Sequence, residues 1–171
     1  MRNKMYMKLG MIAVAGASMA AANAQSNGAS GLSARVGVFF PSNNLAQNLS
    51  STWFVFGADL KLSGFGASVP GTGLNSYLGL SADYYYHGSD SDIPVALTYN
   101  LRAGQMVYSA GIGPDFRNSG DLTSTGVGIG EQVAATYEFG NMPTPMFIQA
   151  KYFFSSRPEL SGFGVYLGIR F

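Results

Sequence analysis

His87 and Ser89 stand two apart in His87-Gly-Ser-Asp-Ser-Asp92, and His87 is the single histidine of the chain. A serine hydroxyl becomes a nucleophile when a base lies within hydrogen-bond reach and a third group orients that base. Asp90 or Asp92 would be the orienting group. The same two carboxylates could hold a cation, but without a ligand loop they make a weak site. Gly126-Val-Gly-Ile-Gly130 has the look of a phosphate-cradling loop. No helical pattern follows it, so the helix terminus that binds the anion is missing. The chain has no cysteine, which excludes a disulfide framework, a Cys-based zinc site and an acylated N-terminal cysteine. The expectation is a non-enzymatic protein with no catalytic residue, cofactor or metal.

The elements that position these residues are strands. The chain has 171 residues, 47% hydrophobic and only 11% charged, with 23 glycines. Glycine weakens helix interiors, which argues against a helical bundle. A soluble domain carries roughly 25% charged residues, so an ordinary wet surface is hard to build here. A formal charge of +1 gives no basic surplus, so nucleic acid is not an expected partner.

The first segment reads as a leader. Arg2, Lys4 and Lys8 precede an apolar run from Leu9 to Ala22, and Ala22-Asn-Ala24 is a small-x-small cleavage site. Cleavage after Ala24 would leave a short linker, residues 25–31, and a barrel over residues 32–171. The mature chain would carry seven Lys/Arg and nine Asp/Glu.

Beyond the leader, side chains alternate at period two, the signature of strands. Eight segments show it: Leu32–Phe40, Trp53–Leu62, Tyr77–Tyr86, Ile93–Arg102, Gln105–Gly113, Val127–Phe139, Met146–Phe154 and Gly162–Phe171. One face is apolar on all eight, with Glu131 its only charge. The other face mixes glycine with Arg35, Asp59, Lys61, Asp83, Arg102, Gln132, Glu138, Gln149, Lys151 and Arg170. A soluble barrel would turn the apolar face inward and leave a surface of glycine and sparse charge. A membrane barrel turns it to lipid and gathers the polar set in the lumen. A Lys or Arg at the lipid midplane costs about 2–4 kcal/mol, which accounts for the charge-free face.

The last strand, Gly-Phe-Gly-Val-Tyr-Leu-Gly-Ile-Arg-Phe171, resembles the C-terminal strand of bacterial outer-membrane proteins. By that resemblance Phe171 is an assembly signal read by the barrel-assembly machinery. Leu78-Gly-Leu-Ser-Ala-Asp-Tyr-Tyr, Ile93-Pro-Val-Ala-Leu-Thr-Tyr-Asn and Tyr108-Ser-Ala-Gly-Ile-Gly carry a further likeness. With them the chain is similar to the small eight-stranded outer-membrane barrels of the OmpA/OmpX type. The likeness implies an all-β, antiparallel, up-and-down transmembrane barrel in the bacterial outer membrane, a monomer in contact with lipid and lipopolysaccharide. Outer-membrane lipid A deacylases are also eight-stranded and use a His-x-Ser dyad, which is why His87 and Ser89 are worth naming. Here the pair falls on a short acidic loop, not on a lipid-facing strand.

In such a barrel the connections alternate. Pro41–Thr52, His87–Asp92, Pro114–Thr125 and Ser155–Ser161 would be outer loops, and Ser63–Ser76, Ala103-Gly104 and Gly140–Pro145 inner turns. Arg35, Asp59, Lys61, Arg102, Glu138 and Arg170 would form a closed ion-pair layer in the inner half, with Lys151 and Gln149 near the middle and Asp83 above it, below a more open, glycine-lined outer vestibule. The acidic residues of the outer loops would form a solvated rim. The functional expectation is a structural or surface-interaction role with a plugged lumen. The alternatives are a narrow channel or carrier for small or hydrophobic solutes and, behind it, a lipid A-modifying enzyme.

Overall fold

A computed structural model of the chain describes residues 31–118, 125–140, 144–157 and 160–171, apart from the side chains at 45 and 63–65. The expected leader and the linker up to residue 30 lie outside the described residues, as do Asp121 and Glu159 of the expected loops. The elements are β1 (Leu32–Pro41), α1 (Asn44–Leu49), β2 (Trp53–Val69), β3 (Leu74–His87), β4 (Asp90–Ala103), β5 (Met106–Asn118), β6 (Gly126–Phe139), β7 (Met146–Ser155) and β8 (Gly162–Arg170). Each strand pairs antiparallel with the next, and β8 closes on β1.

Stepping from ladder partner to ladder partner once around the wall starts at Leu101 and returns to the same strand at Ser91, ten residues along. For eight strands this stagger sets a tilt of about 40° and a backbone radius of about 8 Å. Side chains from opposite walls therefore meet across the bore. Leu32 and Phe171 are tied by a backbone hydrogen bond of 2.9 Å, so both described chain ends lie at one end of the barrel. That end is called proximal below, and the other distal.

The period-two pattern becomes two environments. Val36, Phe54, Leu80, Leu97, Ile112, Val127 and Leu167 stand exposed on the outside. Arg35, Asp83, Gln132, Gln149 and Lys151 are buried inside. A charged interior under an apolar exterior is the arrangement of a membrane barrel, because hydrocarbon covers the outside and the closed ladder leaves no free sheet edge in it.

Four strands run three or more residues past their expected ends. β2 continues to Val69 and β3 begins at Leu74, so the expected long turn Ser63–Ser76 is a hairpin closed by Pro70–Gly73. A register shift between Lys61 and Gly66 takes up the irregularity. β4 starts at Asp90 and β5 runs to Asn118, both through a proline. Proline cannot donate to a ladder, so it reads as a strand end. Here the ladders skip around it instead: β3–β4 passes from Ala82↔Val95 to Tyr85↔Asp92, and β4–β5 from Leu97↔Ile112 to Pro94↔Asp115. The expected loop His87–Asp92 contracts to the two-residue turn Gly88-Ser89, where φ of Gly88 is 59°. A two-residue hairpin turn with positive φ at its first residue favours glycine there.

Single cysteines test the two faces. Cysteine at Phe54, Leu80, Leu97 or Ile169 is expected to label from the lipid phase, and cysteine at Asp59 or Lys151 is not. Lipid-phase labelling at Asp59 would invert the assigned faces.

Candidate functional site

The luminal polar residues fall into layers. At the proximal end Glu138 takes two guanidinium groups. Arg102 reaches its two carboxylate oxygens at 2.5 and 2.7 Å, and Arg170 also pairs with it. The Arg170 guanidinium lies 5.9 Å from the Phe147 ring centre.

The centre of the bore is organised by Asp83 on β3. Arg35 Nε and Nη2 donate to Asp83 Oδ1 at 3.0 and 2.6 Å. Lys151 Nζ donates to Asp83 Oδ2 at 2.6 Å from the opposite wall. Arg35 also pairs with Asp59 and donates to Ser81 Oγ at 3.0 Å, while Lys151 donates to Gln132 Oε1 at 3.1 Å. A buried charge is tolerated only when paired and hydrogen-bonded, and this layer meets that condition with strands β1, β2, β3, β6 and β7 together. Gly57 makes room for it, since a Cβ there would lie 2.1 Å from Asp83 Oδ1.

Beyond this layer the bore is aromatic. Phe39, Trp53, Tyr85, Phe153 and Tyr166 are buried in one cluster with Val55, Leu160 and Ala46 of α1. The Tyr85 ring stacks on Phe153 at 5.6 Å and meets Phe39 edge-on at 4.7 Å. The Tyr85 and Tyr166 hydroxyls lie 3.3 Å apart, and the Arg35 and Lys151 cations each lie 5.7 Å from the Tyr166 ring centre. The polar layer and the aromatic plug thus share Tyr166.

The expected outer vestibule is therefore filled, and the open space is at the proximal side. A small cavity of about 40 Å³ is lined by Asp59, Asn100, Gln149, Lys151 and Arg170, with Lys61 at its rim. The reason is steric. Several glycines of the distal half face large rings instead of open bore: a Cβ at Gly130 would lie 2.7 Å from Phe153, and one at Gly164 2.7 Å from the Tyr166 ring.

Of the residues singled out from sequence, Arg35, Asp59, Asp83, Gln132 and Lys151 come together at the centre, and Arg102, Glu138 and Arg170 at the proximal end. Gln149 Nε2 donates to Thr136 Oγ1 at 2.9 Å, outside both networks. Lys61 is exposed at the mouth, its ammonium 5.1 Å from the Tyr77 ring centre. The acidic rim is corrected: Asp90, Asp92, Asp115 and Arg117 are buried, because β4 and β5 extend far enough to turn them inward. Ser155 Oγ donates to Asp115 Oδ2 at 2.5 Å, and Arg117 Nη2 reaches the Arg157 carbonyl at 3.2 Å. Continuing the inward phase through Pro94 and Pro114 would have found all four. His87 shares the inward phase of Tyr85, and its ring packs on buried Trp53 at 5.6 Å. Gly126, Gly128 and Gly130 belong to β6 and face inward, which leaves no phosphate loop.

No family model and no curated protein matches the chain. Among solved structures, the crystal structure of the outer membrane enzyme PagL is similar with a TM-score of 0.54 at 16% identity, covering 81% of this chain and 97% of that one. The backbone structure of the Yersinia pestis outer membrane protein Ail has a TM-score of 0.48 at 10% identity, covering 82% and 98%. At 16% identity the PagL likeness is one of fold: the chain has the architecture of the small eight-stranded outer-membrane barrels.

The layer should be most sensitive at its hub. Asp83→Ala strands both Arg35 and Lys151, and removing one partner of a buried pair costs about 3–5 kcal/mol. Asp59→Ala should cost less, since the Asp59 side chain is 35% exposed and Arg35 keeps Asp83. Urea unfolding in lipid vesicles reads the difference. A larger loss for Asp59→Ala would misplace the hub.

Proposed function

We propose that the protein is a monomeric outer-membrane barrel, sealed to ions, with a structural or surface-interaction role and no catalytic activity. The observation that carries this reading is the double closure of the lumen: the Asp83 layer and the Phe39–Trp53–Tyr85–Phe153–Tyr166 plug stand in series across one bore. With a backbone radius of about 8 Å, side chains from opposite walls fill the section. On this reading the leader is cleaved after Ala24, the proximal end faces the periplasm, Phe171 presents the last strand to the assembly machinery, and the exterior meets lipid and lipopolysaccharide.

The enzymatic alternative finds little support at His87. Its ring lies on an aromatic plug and Ser89 sits in a two-residue turn, a poor place for a preorganised nucleophile. The channel alternative has one favourable feature, the small polar proximal cavity, but Lys151 in its wall is held by buried Asp83 and the aromatic cluster lies beyond.

Planar-bilayer recording of the refolded protein tests the reading. Wild type should give no steady ohmic current. Asp83→Ala should also give none, because the aromatic plug remains in series with the disrupted layer. Asp83→Ala combined with Tyr85→Ala and Phe153→Ala should conduct. Nanosiemens-scale steps from wild type would overturn it.

A further inference from the structure

Two luminal carboxylates are not served by the cations of the bore. Asp83 takes Lys151 and Arg35 on its two oxygens, and Glu138 takes Arg102 and Arg170. Asp92 on β4 and Asp115 on β5, near the distal ends of those strands, are both at 0% exposure. Neither oxygen of Asp92 has a hydrogen-bond partner among the described residues, and neither has Asp115 Oδ1. Only Asp115 Oδ2 is satisfied, by the Ser155 hydroxyl. A buried charge is costly without a partner, and an orphaned buried oxygen points to a water or an ion.

Register brings the pair together. Asp92 is the ladder partner of Arg117, and Asp115 that of Pro94. Asp92 and Asp115 are therefore diagonal neighbours on the inner face, close enough for their side chains to meet. Their carboxyl groups lie within hydrogen-bonding reach of each other. Two carboxylates are both acceptors, so neither satisfies the other. The Arg117 side chain is directed towards β7 and the loop after it: Nη2 reaches Ser155 Oγ at 3.4 Å and the Arg157 carbonyl at 3.2 Å. The ladder is also interrupted here. Between β4 and β5 it stops at Leu97↔Ile112 and resumes at Pro94↔Asp115, and proline donates nothing to it. A link from Asp92 to Asp115 would hold the two strands where pairing resumes.

From the orphaned oxygens and the interrupted ladder we infer that Asp92 and Asp115 form a divalent-cation site of the calcium class, which clasps the distal ends of β4 and β5. Asp92 offers two oxygens and Asp115 one. Hard carboxylate oxygens suit calcium and magnesium and not the softer metals. Calcium accepts an irregular shell, whereas magnesium demands an octahedral one and gives up water reluctantly. No third carboxylate or imidazole joins the pair among the described residues, so water completes the shell. The affinity then belongs to the weak range of extracellular sites, with Kd about 0.1–1 mM.

The test uses the refolded full chain in phosphatidylcholine vesicles, freed of metal by a chelator. Terbium serves as the luminescent stand-in for calcium, excited through Tyr85, the inward ladder partner of Asp92 on β3. Wild type should give a saturable terbium signal that calcium displaces in the range about 0.1–1 mM, and calcium should raise the midpoint of urea unfolding. Asp92→Asn and Asp115→Asn keep side-chain shape and should each weaken binding at least tenfold. Glu131→Gln, on the outer wall, should leave it unchanged. If either Asn variant fails to fold, the calcium dependence of the wild-type midpoint still decides. No saturable signal from folded wild type, or a signal that survives both Asn substitutions, overturns the site. So does a wild-type stability that climbs on acidification and ignores calcium, since a proton shared between the two carboxyls would then satisfy the orphaned oxygens.

Discussion

A carboxylate shared by two cations from different walls is the interaction on which the rest of the lumen depends. Asp83 accepts from Arg35 on β1 and from Lys151 on β7, and so couples three of the eight strands across the bore. At a radius of about 8 Å the walls are too close for each charge to keep its own hydration. At the centre and the proximal end the charges find their counter-charges on other strands, and this fixes rotation and register along with neutrality. The glycines follow from the same constraint. Gly57 is empty because Asp83 and Arg35 occupy its side-chain volume, and Gly164 because the Tyr166 ring does.

The aromatic plug and the ionic layer support each other. Tyr166 packs on Phe-rich neighbours on one side and presents its ring face to Arg35 and Lys151 on the other. A cation over a ring is held more strongly when water is excluded, and the plug excludes it from the distal side. The polar cavity on the proximal side leaves Asp59 partly wet, which explains why a second carboxylate can flank Arg35 without a second lysine.

Strand number, pairing sense and the inward identity of Arg35, Asp59, Asp83 and Lys151 were legible in the sequence, because hydrocarbon outside and a closed ladder impose a strict period of two. Proline hid part of that pattern. Pro94 and Pro114 read as strand ends, so Asp92 and Asp115 read as loop residues although they keep the inward phase. Partners across the bore were not legible, because Asp83 and Lys151 are 68 residues apart and meet only through the stagger of the closed wall. The position of the open space was inverted for a related reason. A run of glycines looks like room, but here side chains and backbone of the wall already occupy it: Phe153 at Gly130, Tyr166 at Gly164, Ser156 at Gly128.

A double-mutant cycle between Asp83 and Lys151, read by urea unfolding in lipid vesicles, tests the central interaction most directly. Charge-free, similarly sized replacements, Asp83→Leu and Lys151→Met, should each be destabilising alone and much less so together. Residues in one buried network couple by about 0.5–3 kcal/mol, and the account expects the upper part of that range. Additive losses would contradict it, since they would mean that Asp83 and Lys151 occupy the same bore without depending on each other.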